Sequence, residues 1–166
     1  MLTRALSYLD RTVELAIFVI FVVMVLIGGM QVFNRFVLNQ SLSWSEEFQK
    51  FAHIWLIFFT IAVGYNRGSH IGMNIVVGRF PRRLQHLLIL ISDLLWLGLA
   101  VAIVRYTTVI MGVAKRQTSP GLGVRMDLVY LSLVLGGGYL AIVAVRKIVG
   151  SIRLLTSDQR GGEASC

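Results

Sequence analysis

Four long apolar runs, separated by shorter polar or basic stretches, organise the chain. The first extends from Val13 to Phe33 and is broken only by Glu14 at its edge and Gln31 near its far end. At roughly 1.5 Å per residue such a run covers a bilayer core of about 30 Å. Ahead of it, Leu2, Leu6, Leu9 and Val13 recur at helical spacing, with Arg4, Asp10 and Arg11 between them. That predicts a turn or two of amphipathic helix at a membrane surface. The run is too long for the apolar centre of a signal peptide and no small-x-small site follows it, so it reads as an uncleaved first span.

Asn34 to Ser45 reads as a polar loop. Ser45, followed by Glu46 and Glu47, predicts a helix start with a capping hydroxyl and acids in the first turn, where the helix dipole favours them. The second span then covers about 46–65, entering from the interface near Trp44. Asn66 to Arg83 is polar, basic and rich in glycine. Within it Ile71, Met73, Ile75, Val76, Val77 and Phe80 predict a short interfacial amphipathic helix over about 71–80. Pro81 suits the first turn of the next helix. The third span covers about 84–106, and its apolar pattern continues to Ala114, so a helix of that length must tilt or protrude. Ser119, Pro120 and Gly121 predict a turn. The fourth span covers about 127–146 and ends at Arg146 and Lys147. The expected fold is all-α and integral to a membrane: a four-helix domain over 1–156 and a disordered tail over 157–166.

Composition agrees with the pattern. Of 166 residues 56% are hydrophobic and 14% charged, where soluble domains carry about a quarter charged residues. The net charge of +8 is placed between apolar runs, as topology signals and contacts for phospholipid headgroups. No basic patch with interleaved aromatics suggests nucleic acid. With the N-terminus inside, Arg4, Arg11, Arg67, Arg79, Arg82, Arg83, Arg146, Lys147, Arg153 and Arg160 lie inside. Arg35, Arg105, Lys115, Arg116 and Arg125 lie outside, ten against five. This predicts both termini on the cytoplasmic side. Cys166 is the single cysteine, so neither an internal disulfide nor a cysteine metal cluster is expected.

Ionisable groups inside a bilayer are functional suspects. Asp93 is the most deeply placed acid. It reads either as a proton or cation site or, the favoured reading, as a carboxylate hydrogen-bonded to another helix. Glu14 reads as one half of an interfacial ion pair with Arg11. Glu46, Lys50 and His53 fall at i, i+4 and i+7 on one helix face, which predicts a Glu46–Lys50 pair and an interhelical hydrogen bond for His53. A haem needs two axial ligands, or one and an open site, and His70 and His86 fall in or beside loops. Gly64, Gly68 and Gly72 read as a tight loop, whereas Gly136, Gly137 and Gly138 read as a close helix-packing surface. No nucleophile elbow, phosphate loop, metal-ligand spacing or paired acid and base is present, so neither enzyme activity nor a cofactor is expected. Two other readings stay open: an autonomous four-helix proton-coupled transporter built on Asp93, and a haem-binding membrane anchor.

One set of residues adds to this. Asn34-Arg35-Phe36, then Trp44-Ser45-Glu46-Glu47, resembles the small membrane subunit of the TRAP (tripartite ATP-independent periplasmic) transporters, in which an Arg-Phe closes the first span and a Trp-x-Glu-Glu opens the second. Gly64-Tyr65-Asn66-Arg67-Gly68-Ser69-His70-Ile71 resembles the segment after that family's second span. The resemblance covers roughly residues 5 to 150. It departs at Leu131 to Gly138, where many members carry a proline and this chain has none. It implies a non-transporting scaffold in a bacterial inner membrane. Its partners are then a large elevator-type subunit of about a dozen spans and a periplasmic solute-binding protein, together importing organic acids (C4-dicarboxylates, sialic acid or sulfonates) on a sodium gradient. On that view Arg35, Phe36, Trp44, Glu46, Glu47, Lys50, Arg67, Gly68 and His70 serve assembly, Glu46 and Glu47 by capping and by pairing with Lys50, Arg35 or the partner.

Overall fold

The computed structural model describes residues 2–40, 42–67 and 81–163, with side chains for 7–40, 42–67, 81, 84, 85 and 87–152. Four helices make up nearly all of it: α1 Leu2–Val37, α2 Ser43–Asn66, α3 Arg82–Ala114 and α4 Met126–Glu163. Each contains a stretch long and apolar enough to cross a membrane, namely Ser7–Val37, Ser43–Asn66, Leu87–Ala114 and Met126–Ile152. The all-α, four-span architecture is therefore the one the hydropathy pattern predicts. The interfacial helix expected over 71–80, with Gly68 and His70, lies outside the described residues.

The helices outrun their apolar windows, and the reasons are local. No proline or glycine interrupts residues 2–27, so the amphipathic segment ahead of Val13 is continuous with the span rather than separate from it. The 36 residues of α1 amount to about 54 Å of helix, more than a bilayer core takes. At its far end α1 stays helical through Arg35 and Phe36, which shortens the expected loop to residues 38–42. The chain turns at Asn39, whose φ of 52° is one asparagine tolerates, and the Gln40 N–H returns to the Asn34 carbonyl at 3.1 Å.

α2 starts two residues before the expected cap. Leu42 occupies the cap position, and Ser45 lies inside the first turn, where its Oγ donates to the Leu42 carbonyl at 2.7 Å. Ser45 thus bonds backwards instead of capping. Pro81 stands just outside α3, in extended conformation, and its carbonyl accepts the Leu84 N–H at 2.8 Å. α3 is 33 residues long, the overshoot its apolar pattern predicts. α4 keeps a helical backbone to Glu163, into the stretch read from sequence as a tail. Arg153, Leu154 and Leu155 are good helix formers that carry it past the apolar span.

α4 is the centre of the bundle, packed on α3 and on α2, while α1 lies on α2. The core joins Ala62 and Tyr65 of α2, Ala100 of α3, and Tyr139, Leu140, Val143 and Ala144 of α4, with Trp96 packed against it. Small residues bring the backbones close, as is usual where apolar burial itself gives membrane helices no drive to associate. The three consecutive glycines divide the work. A Cβ on Gly136 would lie 2.8 Å from the Phe58 Cβ and 3.1 Å from the Phe58 backbone; one on Gly137 would lie 3.1 Å from Val104; one on Gly138 would meet open space. Gly136 therefore seats α2 and Gly137 seats α3.

Candidate functional site

Polar groups gather at the two ends of the bundle. At the end shared by the start of α1 and the later part of α4, buried Asp93 accepts a hydrogen bond from the Tyr65 hydroxyl at 2.7 Å. The Tyr65 ring lies beside Trp96, centroids 5.2 Å apart, and the Lys147 ammonium sits 4.1 Å over the Tyr65 ring centroid while donating to the Tyr65 carbonyl. About two turns of α4 before Lys147, Tyr139 donates its hydroxyl to Asp10 at 2.8 Å, and Arg146, next to Lys147, pairs with the same carboxylate at 3.2 Å. Glu14 pairs with Arg67 at 2.7 Å. These bonds tie α1 to α2 and α4, and α2 to α3 and α4. Each acid meets a donor on another helix, which is how charged groups at membrane depth are made tolerable.

At the opposite end a single carboxylate organises the connection between α3 and α4. Glu47, in the second turn of α2, accepts the Gly121 N–H at 3.0 Å, the Leu122 N–H at 2.9 Å and the Ser119 hydroxyl. A Cβ on Gly121 would lie 2.9 Å from the Glu47 carboxylate, so glycine is what lets that backbone approach. The loop is closed on itself by Ser119 N–H to the Val124 carbonyl at 2.9 Å, and Gly123 turns with φ of 64°. Arg125 pairs with Asp127 at 2.6 Å. Between α1 and α2, the Gln49 amide donates to Gln31 at 3.2 Å.

These contacts redistribute the residues singled out by the sequence. Asp93 is held by an interhelical hydrogen bond, the favoured expectation. Glu14 pairs across helices with Arg67, not with Arg11 three residues earlier; the long arginine side chain at the end of α2 reaches it. Glu47 clamps a loop and caps no helix of its own. Among the described residues no ion pair joins Glu46 to Lys50 or to Arg35; Arg35 and Glu46 share a hollow with Gln31, Leu42 and Ser43. His53 is exposed and forms no interhelical hydrogen bond with a described residue. It shares a shallow groove with Met24, Gln49, Lys50 and Ile54. Phe36 is 76% exposed, and Trp44 is half-buried. Sequence reasoning missed Asp10, Tyr65, Tyr139, Arg146 and Lys147 as one network. The available signal was two tyrosines near the basic ends of two spans.

The arrangement holds helices together by polar bonds between them. Residues 24–154 match the family described as tripartite ATP-independent periplasmic transporters, DctQ component. This chain belongs to the DctQ family. It is thus a multi-pass membrane protein and a component of a TRAP transporter. Among DctQ relatives, a Haemophilus influenzae protein named as a TRAP transporter small permease protein is 20% identical over 152 residues, covering 92% of this chain and 94% of that one. The C4-dicarboxylate TRAP transporter small permease protein DctQ of Pseudomonas aeruginosa is 29% identical over 130 residues, 75% of this chain and 60% of that one. The isethionate TRAP transporter permease protein DctMQ of Oleidesulfovibrio alaskensis is 28% identical over 113 residues, 67% of this chain but 18% of that protein.

For this DctQ protein the Glu47 clamp gives a first test. Glu47→Ala removes the acceptor of two loop N–H groups and a hydroxyl, so residues 115–125 are expected to loosen. Trypsin added to the matching face of membrane vesicles should then cut at Lys115, Arg116 or Arg125 several-fold faster than in the parent. Glu46→Ala, which touches no such bond, should leave the rate unchanged. Equal cleavage in all three proteins would contradict the clamp.

Proposed function

We propose that the chain is the non-transporting scaffold subunit of a sodium-driven, binding-protein-dependent TRAP importer of organic acids. It lies in a bacterial inner membrane with both termini in the cytoplasm. It braces a large elevator-type subunit and helps a periplasmic solute-binding protein dock. The observation that carries this reading is the pairing inside the bundle. Asp93, the acid at membrane depth, and Asp10, nearer the membrane surface, are engaged by Tyr65, Tyr139 and Arg146, which on this reading serves helix contacts and lines no route for solute. A large partner is supported by the Oleidesulfovibrio protein, whose name joins two components and whose length lies mostly outside the matched segment. The organic-acid class is supported by two relatives named for isethionate and for C4-dicarboxylates. Arg35, Phe36, Trp44, Glu46, Lys50 and, in the segment after α2, Arg67, Gly68 and His70 serve assembly on this reading.

Reconstitution tests it. Liposomes holding this chain, its large partner subunit and a cognate binding protein should take up an organic acid on an inward sodium gradient. Liposomes holding this chain alone should not. Solute movement by the chain alone, with either a sodium or a proton gradient, would overturn the scaffold reading.

A further inference from the structure

Among the described residues one face of α2 is left largely exposed, bordered by Met24, Gln31 and Arg35 of α1. Glu46, Lys50, His53, Ile57, Thr60 and Gly64 follow one another at alternating intervals of four and three residues. That spacing keeps all six on one side of a helix, the seam with which two helices pack at about +20°. The first five are exposed, and the space beside Gly64 is open. The buried residues of α2, Ser45, Ala62 and Tyr65, lie off this seam.

The chemistry of the seam says what covers it. Lys50 lies about 10 Å and His53 about 15 Å along the axis from the start of α2 at Ser43, a depth inside the hydrocarbon layer for a span entering there. Among the described residues no side chain gives Glu46, Lys50 or His53 a hydrogen bond or an ion pair, and Lys50 has the Glu47 carboxylate, itself engaged by the 119–122 loop, within electrostatic reach. Lipid tails cannot solvate an ammonium and an imidazole at that depth, and such groups face protein or water. A second copy of the chain is a poor occupant: a parallel two-fold pairing through this seam sets Lys50 beside its own copy, a like-charge contact.

We infer that this seam docks one transmembrane helix of the large membrane subunit, carrying a carboxylate or another hydrogen-bond acceptor opposite Lys50 and His53 and approaching most closely at Gly64. The inference rests on the scaffold reading and specifies which surface performs it. Glu46 at one end and Thr60 toward the other supply further polar contacts, and Ile57 supplies the apolar one between them.

The test is a benzophenone cross-link from single cysteines placed in a Cys166→Ser background, with the large subunit co-expressed. Ile57→Cys changes an exposed residue and is expected to give a cross-linked adduct with the large subunit. Leu95→Cys on α3, 69% exposed, is the comparison and should give none. Gly64→Leu and Lys50→Ala should each lower the large subunit co-purified several-fold. Adducts from Leu95→Cys and none from Ile57→Cys would overturn the seam while leaving the scaffold reading intact. A homodimeric adduct from Ile57→Cys would overturn the assigned occupant. Failure of the parent chain to co-purify with any large subunit would overturn the scaffold reading itself.

Discussion

Gly136→Ala is expected to destabilise the bundle by about 1–3 kcal/mol, the usual result of forcing a methyl group into a packed site. The added carbon would sit 2.8 Å from the Phe58 Cβ and 3.1 Å from the Phe58 carbonyl carbon and oxygen. Those are backbone neighbours on α2, which cannot turn aside as the end of a long side chain can. Relief requires α2 and α4 to move apart, and that separation reaches both the Tyr65–Asp93 bond and the Glu47 clamp, since both depend on where α2 lies. Gly138→Ala is the matched control. Its new methyl group meets open space, and exchanging a helical glycine for alanine gains about 0.5–1 kcal/mol. Thermal unfolding of the purified chain in detergent should place the two variants on opposite sides of the parent. Gly136→Ala melting with or above Gly138→Ala would show that the α2–α4 contact is not a close one. Gly136→Leu should fail to give a monodisperse protein.

The contrast between these glycines shows what was legible in the sequence. Three adjacent glycines in an apolar span announce close packing, yet consecutive helical positions point about 100° apart, so they cannot serve one neighbour. Which of them meets α2, which meets α3 and which meets nothing depends on where α4 lies, and that is a tertiary fact. The same limit governs the charges. Apolar runs fixed the number of spans, because a bilayer demands length and hydrophobicity within one segment. They gave the ends less well: Ser45, a cap-forming residue type, stands three positions inside the cap at Leu42, and Pro81, expected in the first turn of α3, occupies its cap position. Partner choice was least legible. Glu14 has Arg11 within a turn in sequence, but its partner is Arg67, 53 residues on. Glu47 belongs to a motif at a helix start, yet its ligands are 72 to 75 residues away. A periodic pattern names a face; it does not say which other segment lies against that face.

Asp93 is where the competing readings of this bundle separate, and exchanging it is expected to do two different things depending on what replaces it. Asp93→Asn keeps an oxygen where the Tyr65 hydroxyl now donates at 2.7 Å. The α2–α3 tie should survive, and uptake by the assembled transporter should stay close to that of the parent. Asp93→Leu takes the acceptor away from the Tyr65 hydroxyl and leaves Lys147 without the acid in its electrostatic reach. Loss of one partner of such a buried bond costs about 1–3 kcal/mol, and both stability and assembly should fall together. Tyr65→Phe combined with Asp93→Leu removes both ends of the bond, and the pair should be less harmful than the two single losses added. A carboxylate that carried a proton or a cation across the membrane would behave in the reverse order. Asp93→Asn would then leave a stable, fully assembled complex that no longer transports, because an amide holds the geometry but cannot take up and release the charge. Measuring melting temperature and gradient-driven uptake on the same three variants separates a tie between helices from a step in transport: the tie predicts that uptake tracks stability through the series, and the step predicts that the two part company at the asparagine.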